Sequence, residues 1–271
     1  MPLAAAALLG ILQGVTELFP FSSLGLLVIL PHVVPIPTPT SGARYLPFLV
    51  ALHAGTALAL FLLFNREWSR IIRGFFAWLR GKRTMDGRMA WLLVWGTIPA
   101  GLAGLVFKHP LESLFANPLA ASIFLIINGM LMLIGDRVQK RTRRSRTLPS
   151  LTSGDALIIG VFQILALLPG MSRSGATMTG GVSRGLNFGD AAHFSFLLAT
   201  PIILAAAVLE LPKLHGGLHG MLLPSLLGGV AAGITAWLSA RFLLRYFRHH
   251  SFFRLAIISI GLGTASLIVI H

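Results

Sequence analysis

Glu17 and Arg173 are the two charged residues whose neighbours suit them for chemistry. Glu17 stands in Gly10-Ile11-Leu12-Gln13-Gly14-Val15-Thr16-Glu17-Leu18-Phe19-Pro20-Phe21-Ser22-Ser23-Leu24-Gly25. Of the acids, it alone lies in a motif inside an apolar segment; Glu67, Asp86, Glu112, Asp136, Asp155, Asp190 and Glu210 fall near segment ends. A carboxylate in apolar surroundings costs several kcal/mol unless it is paired, protonated or metal-bound, so its default reading is functional. The bland alternative is a carboxylate that hydrogen-bonds a broken helix. Arg173 follows a Pro169-Gly170 break and sits among Ser172, Ser174 and Thr177. Loop N–H groups, hydroxyls and the start of a helix there aim donors at one spot. A guanidinium among them matches phosphate oxygens in a bidentate fork.

The remaining polar residues of the two clusters fit the same theme. Ser22 and Ser23 follow Pro20. Each suits a nucleophile, an oxyanion donor or a cap on the next helix, capping being the commonest fate of such a serine. Gln13 lies one helical turn before Glu17 and faces the same way; it can position a phosphate or a water but cannot act as a base. His53 and His193 lie in or beside apolar segments; each reads as a hydrogen-bonded structural histidine first and as a residue touching the pocket second. There is no cysteine and no His-x-x-x-His pattern, which leaves no thiolate site and no zinc motif.

These clusters form an internal repeat. Gly10, Gln13, Ser22 and Gly25 map onto Gly160, Gln163, Ser172 and Gly175 at a constant offset of 150 residues. Repeated, Gly/Pro-broken apolar segments point to a site at the interface between two membrane repeats.

Composition sets the solvent. Hydrophobic residues make up 55% of the 271-residue chain and charged residues 11%, far below a soluble domain. The chain reads as an all-α polytopic membrane protein, because open sheets cannot cross lipid. Its net charge of +14 does not point to nucleic acid. The basic residues flank apolar segments, at Arg66 to Arg88, Arg137 to Arg146 and Arg241 to Arg254, as cytoplasmic loops do. No Lys or Arg precedes Arg44, so the apolar N-terminus does not read as a cleaved signal peptide.

Six apolar segments can cross a bilayer: Leu46–Phe64, Met89–Phe107, Pro118–Gly135, Ala192–Leu211, Met221–Leu244 and Phe252–Ile270. The basic loops then require Asp155–Gly189 to enter and leave on the cytoplasmic side, as a re-entrant hairpin broken at Pro169-Gly170. By the same logic Pro2–Leu30 dips in from outside and breaks at Pro20. The expectation is six transmembrane helices plus two re-entrant helical hairpins in an inverted-topology repeat, with both termini outside. Repeat one covers 1–135, a basic linker 136–153 and repeat two 154–271, all in one membrane domain. Gly10/Gly14 and Gly229/Gly233 permit close helix packing, within the chain or in a homo-oligomer.

The run Gly160-Val161-Phe162-Gln163-Ile164-Leu165-Ala166-Leu167-Leu168-Pro169-Gly170-Met171-Ser172-Arg173-Ser174-Gly175-Ala176-Thr177, followed by Ala191-Ala192-His193-Phe194-Ser195-Phe196-Leu197-Leu198-Ala199-Thr200-Pro201, resembles the signature of the undecaprenyl-diphosphate phosphatase family of the bacitracin-resistance type. Gln13 to Ser23 resembles that family's N-terminal motif. The likeness covers nearly the whole chain. It implies six crossings with two re-entrant hairpins, and hydrolysis of undecaprenyl diphosphate to the monophosphate at the outer face of the bacterial inner membrane. That reaction recycles a lipid carrier for peptidoglycan, with help from Mg²⁺ or Ca²⁺. The resemblance makes Glu17, Ser23 and Arg173 the catalytic set, with Glu17 also on the metal. Gln13, Ser22, Ser172, Ser174 and Thr177 become substrate-binding residues. Two positions depart: Gln13 stands where many members have Glu, and Leu26 stands where the family has a His that serves as proton acceptor or serine activator. The competing expectation is a transporter or flippase that binds a polyprenyl phosphate in the same pocket without hydrolysing it.

Overall fold

The computed structural model describes residues 1–33, 42–107, 114, 117–142, 145–210 and 221–270. Eleven α-helices run α1 Leu3–Thr16, α2 Ser23–Val33, α3 Gly42–Leu63, α4 Asn65–Leu79, α5 Met85–Val106, α6 Pro118–Arg141, α7 Ser153–Ile164, α8 Arg173–Ser183, α9 Phe188–Glu210, α10 Leu222–Tyr246 and α11 Phe253–Ile270 among the described residues. Five of them, α5, α6, α9, α10 and α11, are each long and apolar enough to cross a bilayer. The sixth candidate is α3, which with α4 forms a pair bent by 84°. The chain is an all-helical polytopic membrane protein. The expected outer loops at Lys108–Asn117 and His215–Gly220 fall largely outside the described residues.

The irregular regions are hairpins. The paired helices α1/α2 and α7/α8 are 14, 11, 12 and 11 residues long. At 1.5 Å per residue that is about 16–21 Å, short of a hydrocarbon core of about 30 Å. Pro20 lies in the break of the first pair and Pro169-Gly170 in that of the second. Gly170 takes a φ of +94°, which a side chain would strain, and this turns the backbone back toward α8.

The basic loops gather at one end. Arg88 donates to the Pro149 carbonyl at 3.3 Å, the Leu148 N–H to Asp190 at 3.0 Å, and His193 Nε2 lies 2.9 Å from Glu67. The Lys140 ammonium stands 5.8 Å above the Phe253 ring. Hairpin α7/α8 opens at this end, where a Thr152–Asp155 capping box starts α7. Hairpin α1/α2 opens at the other end, where Ala6 packs in one cluster with Phe48 and Met221.

The hairpins exchange partners between the repeats. A Cβ on Gly10 of α1 would meet the Gly228 carbonyl oxygen of α10 at 2.3 Å, and a Cβ on its repeat mate Gly160 would meet the Gly96 carbonyl oxygen of α5 at 2.5 Å. Each hairpin thus lies against a long helix of the other repeat. The glycines that permitted close packing are used within the chain: Gly14 abuts Ala232 and Thr235, while Gly229 and Gly233 abut Ala51 and Gly55.

Helix α4 is the element missing from the sequence reading, which treated Arg66 to Arg88 as a loop. Its polar face, with Arg66, Arg70 and Arg73, hides the apolar one on which Ile71 is buried. Such a helix lies along an interface rather than across it. Helix α10 shows the spanning pattern: Leu226, Val230, Ile234 and Leu238 are more than half exposed at four-residue spacing, while Gly228, Ala232 and Ala236 face inward. At the centre, every residue of α8 from Ser174 to Val182 is buried. That burial holds Arg173, at the start of α8, in a rigid frame.

Candidate active site

The first hairpin delivers a carboxylate because α1 stops at the right place. The Glu17 N–H still bonds the Gln13 carbonyl at 2.9 Å, but Pro20 has no N–H to continue the ladder. The chain turns, and the Ser22 hydroxyl accepts the Gly25 N–H at 3.0 Å, which caps the start of α2. Ser23 is the first residue of α2, and its hydroxyl donates to Glu17 Oε2 at 2.8 Å. Gln13 Nε2 donates to the same oxygen at 2.9 Å.

The second hairpin repeats this construction with a different side chain. The Ser172 hydroxyl accepts the Gly175 N–H at 3.2 Å and caps α8. Arg173 is the first residue of α8, the position that Ser23 holds in α2. It donates from Nη2 to Glu17 Oε1 at 2.8 Å and from Nη1 to the Ala199 carbonyl at 3.1 Å. The two repeat-related side chains therefore converge on one carboxylate, from opposite hairpins.

The tips are locked together. The Ser174 hydroxyl donates to the Phe19 carbonyl at 3.1 Å. Fully buried Asn128 of α6 donates to the Pro20 carbonyl at 2.8 Å and accepts the Ser172 N–H at 3.0 Å, so one side chain holds both breaks. Asn128 carries no motif signal; only its position as an amide amid the apolar run of α6 marks it.

A cavity of about 170 Å³ opens at this junction. Glu17, Ser22, Ser23, His53, Gln163, Ser172 and Arg173 form its polar wall, and Phe21, Ala100, Met171, Ile202, Ile203 and Ala206 its apolar one. Gln13 reaches the cavity only through Glu17. Ser174 ties the tips from behind. Thr177 also lies behind the wall, bonded to the Arg173 carbonyl at 2.8 Å and within 2.7 Å of the Ser195 hydroxyl.

Two wall residues were not singled out by sequence as site residues. His53 does not sit apart as a structural histidine. Its Nδ1 bonds the Leu49 carbonyl at 2.9 Å, and its Nε2 lies 3.9 Å from Glu17 Oε2. Gln163, the repeat mate of Gln13, is 2% exposed, and its Oε1 has no partner among the described residues. The repeat offset was the signal that could have found it. His193 does serve structure, stacking on Phe64 with ring centroids 5.3 Å apart. Leu26 turns away from the cavity and packs beside Ile29, Ala121 and Leu125.

The donor set bears on a divalent cation. Among the described residues no cluster of three or more His, Cys, Asp or Glu side chains exists. One carboxylate, with Gln163 and its unpartnered Oε1 on the same cavity wall, cannot cage a cation alone. It does fit Mg²⁺, which keeps most of its water and binds through one or two carboxylates plus substrate phosphates.

Chemically, the junction combines a hydroxyl, a proton acceptor in hydrogen-bond reach of it, and a guanidinium with N–H groups to spare. Residues 6–265 match the family profile described as Bacitracin resistance protein BacA. Undecaprenyl-diphosphatase 2 of Burkholderia ambifaria is 49% identical over 239 residues, covering 88% of this chain and 86% of its own. Undecaprenyl-diphosphatase 1 of Burkholderia pseudomallei is 48% identical over 239 residues, with the same 88% and 86% covered. Undecaprenyl-diphosphatase 2 of Chromobacterium violaceum is 48% identical over 212 residues, 77% of this chain and 75% of its own.

Proposed function

Because the chain belongs to the bacitracin resistance protein BacA family, we propose that it hydrolyses undecaprenyl diphosphate to undecaprenyl phosphate and inorganic phosphate. The observation that carries the reading is the Ser23 hydroxyl donating at 2.8 Å to Glu17, whose other oxygen is held by Arg173 at 2.8 Å. A nucleophile, its base and an orienting group in hydrogen-bond contact form the arrangement of nucleophilic catalysis.

In this reading the diphosphate enters the cavity with its tail in lipid. Arg173 keeps one N–H on Glu17 and turns its unused N–H groups to the terminal phosphate, with the first-turn N–H groups of α8 beside it. Ser23 Oγ attacks the terminal phosphorus and its proton passes to Glu17. The bond from that phosphorus to the bridging oxygen breaks, and undecaprenyl phosphate leaves with the oxygen. Glu17 passes that proton to the departing undecaprenyl phosphate and, a carboxylate again, deprotonates the water that attacks the phosphorus on Ser23; the proton returns to Ser23 Oγ as inorganic phosphate leaves. Most of the rate comes from fixed donors around developing charge. Glu17 and Gln163 would hold a bound Mg²⁺ or Ca²⁺, which would supply charge neutralisation on the phosphate oxygens. Leu26 leaves no gap in this scheme, because Glu17 supplies the proton acceptor.

The basic end of the bundle faces the cytoplasm under the positive-inside rule, so the opposite end, where α1/α2 enters, faces the periplasm. The site then works on lipid presented at the outer side of a bacterial inner membrane. The direct test is phosphate release from a long-chain polyprenyl diphosphate by purified protein, with and without chelator. Release above a protein-free control, lost with chelator, is expected. No release with Mg²⁺ or Ca²⁺ present, in detergent and bilayer alike, would sink the enzyme reading.

A further inference from the structure

The arginine-rich end carries a second polar pocket, remote from the hairpin tips. It has a volume of about 470 Å³, and Arg66 and Arg70 of α4 and Arg241 of α10 stand on its wall. Arg66 and Arg70 have no ion pair or side-chain hydrogen bond among the described residues. The Arg241 guanidinium lies 4.5 Å above the Trp237 ring, which fixes its position without neutralising it. The pocket's acid, Glu67, is bonded to His193 at 2.9 Å. Three cationic groups thus share one concavity, and the nearby acid is already engaged.

This pocket continues into an apolar groove of about 600 Å³ between α3 and α10, and Leu62 and Trp237 line both. The groove is open along the outer face of the bundle, where α10 exposes Leu226, Val230 and Ile234. A cavity of the same volume between α4, α5 and α9 carries no charged residue on its wall. The α3/α10 groove therefore differs from an ordinary lipid-facing crevice by ending in a net positive charge, three guanidinium groups against one carboxylate, at the basic end of the bundle. The geometry points to a binding site for an anionic phospholipid of the adjacent leaflet. Its phosphate lies among Arg66, Arg70 and Arg241, and an acyl chain lies along α3 and α10.

Native mass spectrometry of the full chain tests this, with phosphatidylglycerol and phosphatidylcholine of matched acyl chains as probes. The wild type is expected to retain phosphatidylglycerol about tenfold more strongly or better, on the scale of one interfacial arginine or more. The Arg66→Gln/Arg70→Gln/Arg241→Gln variant is expected to bind both lipids alike while still hydrolysing a short-chain prenyl diphosphate. Arg70→Gln alone is expected to show an intermediate preference, which keeps the test open if the triple variant does not fold. Equal retention of the two lipids by the wild type overturns the proposal, as does an undiminished preference in an active triple variant. Binding of inorganic phosphate alone as strong as that of phosphatidylglycerol also overturns it, because the groove would then contribute nothing.

Discussion

Arg173 Nη2 lies 2.8 Å from Glu17 Oε1, across 156 residues of chain, and this ion pair joins the two re-entrant hairpins at their tips. The carboxylate holds one guanidinium N–H and leaves others for a phosphate, and the first prediction follows from that division. Arg173→Ala is expected to lower kcat/KM for polyprenyl diphosphate by tens- to hundreds-fold, the equivalent of about 2–4 kcal/mol. Arg173→Lys should recover only part, because a point charge does not reproduce the fork. Arg83→Ala, on the exposed α4–α5 loop, should leave turnover unchanged.

Glu17→Gln keeps a hydrogen-bond acceptor for Ser23 but removes the base and the charge. Turnover should fall by about a hundredfold or more while the protein still folds and binds its lipid. Leu26→His should not raise activity in the wild type, because Leu26 packs with Ile29, Ala121 and Leu125 rather than facing the cavity. Rescue of Glu17→Gln by Leu26→His, read in phosphate release, would refute the placement of residue 26 away from the cavity.

Asn128→Leu removes the hydrogen bonds to the Pro20 carbonyl, the Ser172 N–H and the Ser259 hydroxyl, and a weaker one to the Met132 sulfur. Each buried group left unpaired costs about 1–3 kcal/mol. A lower Tm in detergent is expected, together with a fall in kcat that exceeds any rise in KM, because the tips lose register rather than binding groups. An unchanged kcat in folded Asn128→Leu protein would show that the clamp does not position the site.

Asp155 anchors the base of the second hairpin. Burial alone would raise its pKa, but hydrogen bonds from Arg184, Arg146 and Thr152 outweigh that and hold it well below the usual carboxylate range. A depressed folded-state pKa means that the stabilisation is full above the unfolded value of about 3.9 and fades as pH falls below it. Asp155→Asn should therefore lower Tm at pH 7, and the gap to wild type should narrow below about pH 4. A gap of constant size from pH 7 down to pH 3 would argue against the ionic contribution.

The chain contains no cysteine, so single substitutions report sidedness cleanly. Cysteine at Asn117, beside the α6 start, should react with an impermeant maleimide in intact cells. Cysteine at Lys82, between α4 and α5, should react only after permeabilisation. Labelling of both from one side would contradict the inverted arrangement.

How much of this was legible beforehand varies with the element. The breaks at Pro20 and Pro169-Gly170 are chemical, set by a missing N–H and a positive φ, and they are visible in the residues themselves. Helix α4 was not legible, because a half-charged amphipathic helix reads as a basic loop when one looks for apolar runs. His53 illustrates a different limit. Its type and place in an apolar helix fit a structural role equally well, and only the packing of α3 brings its ring toward Glu17.

The sequence by itself determined the solvent, the crossings, the repeat and the two polar clusters, because hydropathy, Pro/Gly breaks and a constant 150-residue offset are properties of order along the chain. Tertiary structure alone decided that Ser23 and Arg173, equivalent in the repeat, both meet the single carboxylate Glu17. It also decided that Gln163 lines the cavity while Gln13, Ser174 and Thr177 stand behind it, and that Leu26 faces away. The physical reason is that a hairpin cannot bury its own polar tip. Bonds within each hairpin satisfy part of its tip, and what completes it comes from elsewhere in the chain: Arg173 reaches Glu17 across 156 residues, and Asn128 reaches Pro20 across 108 and Ser172 across 44.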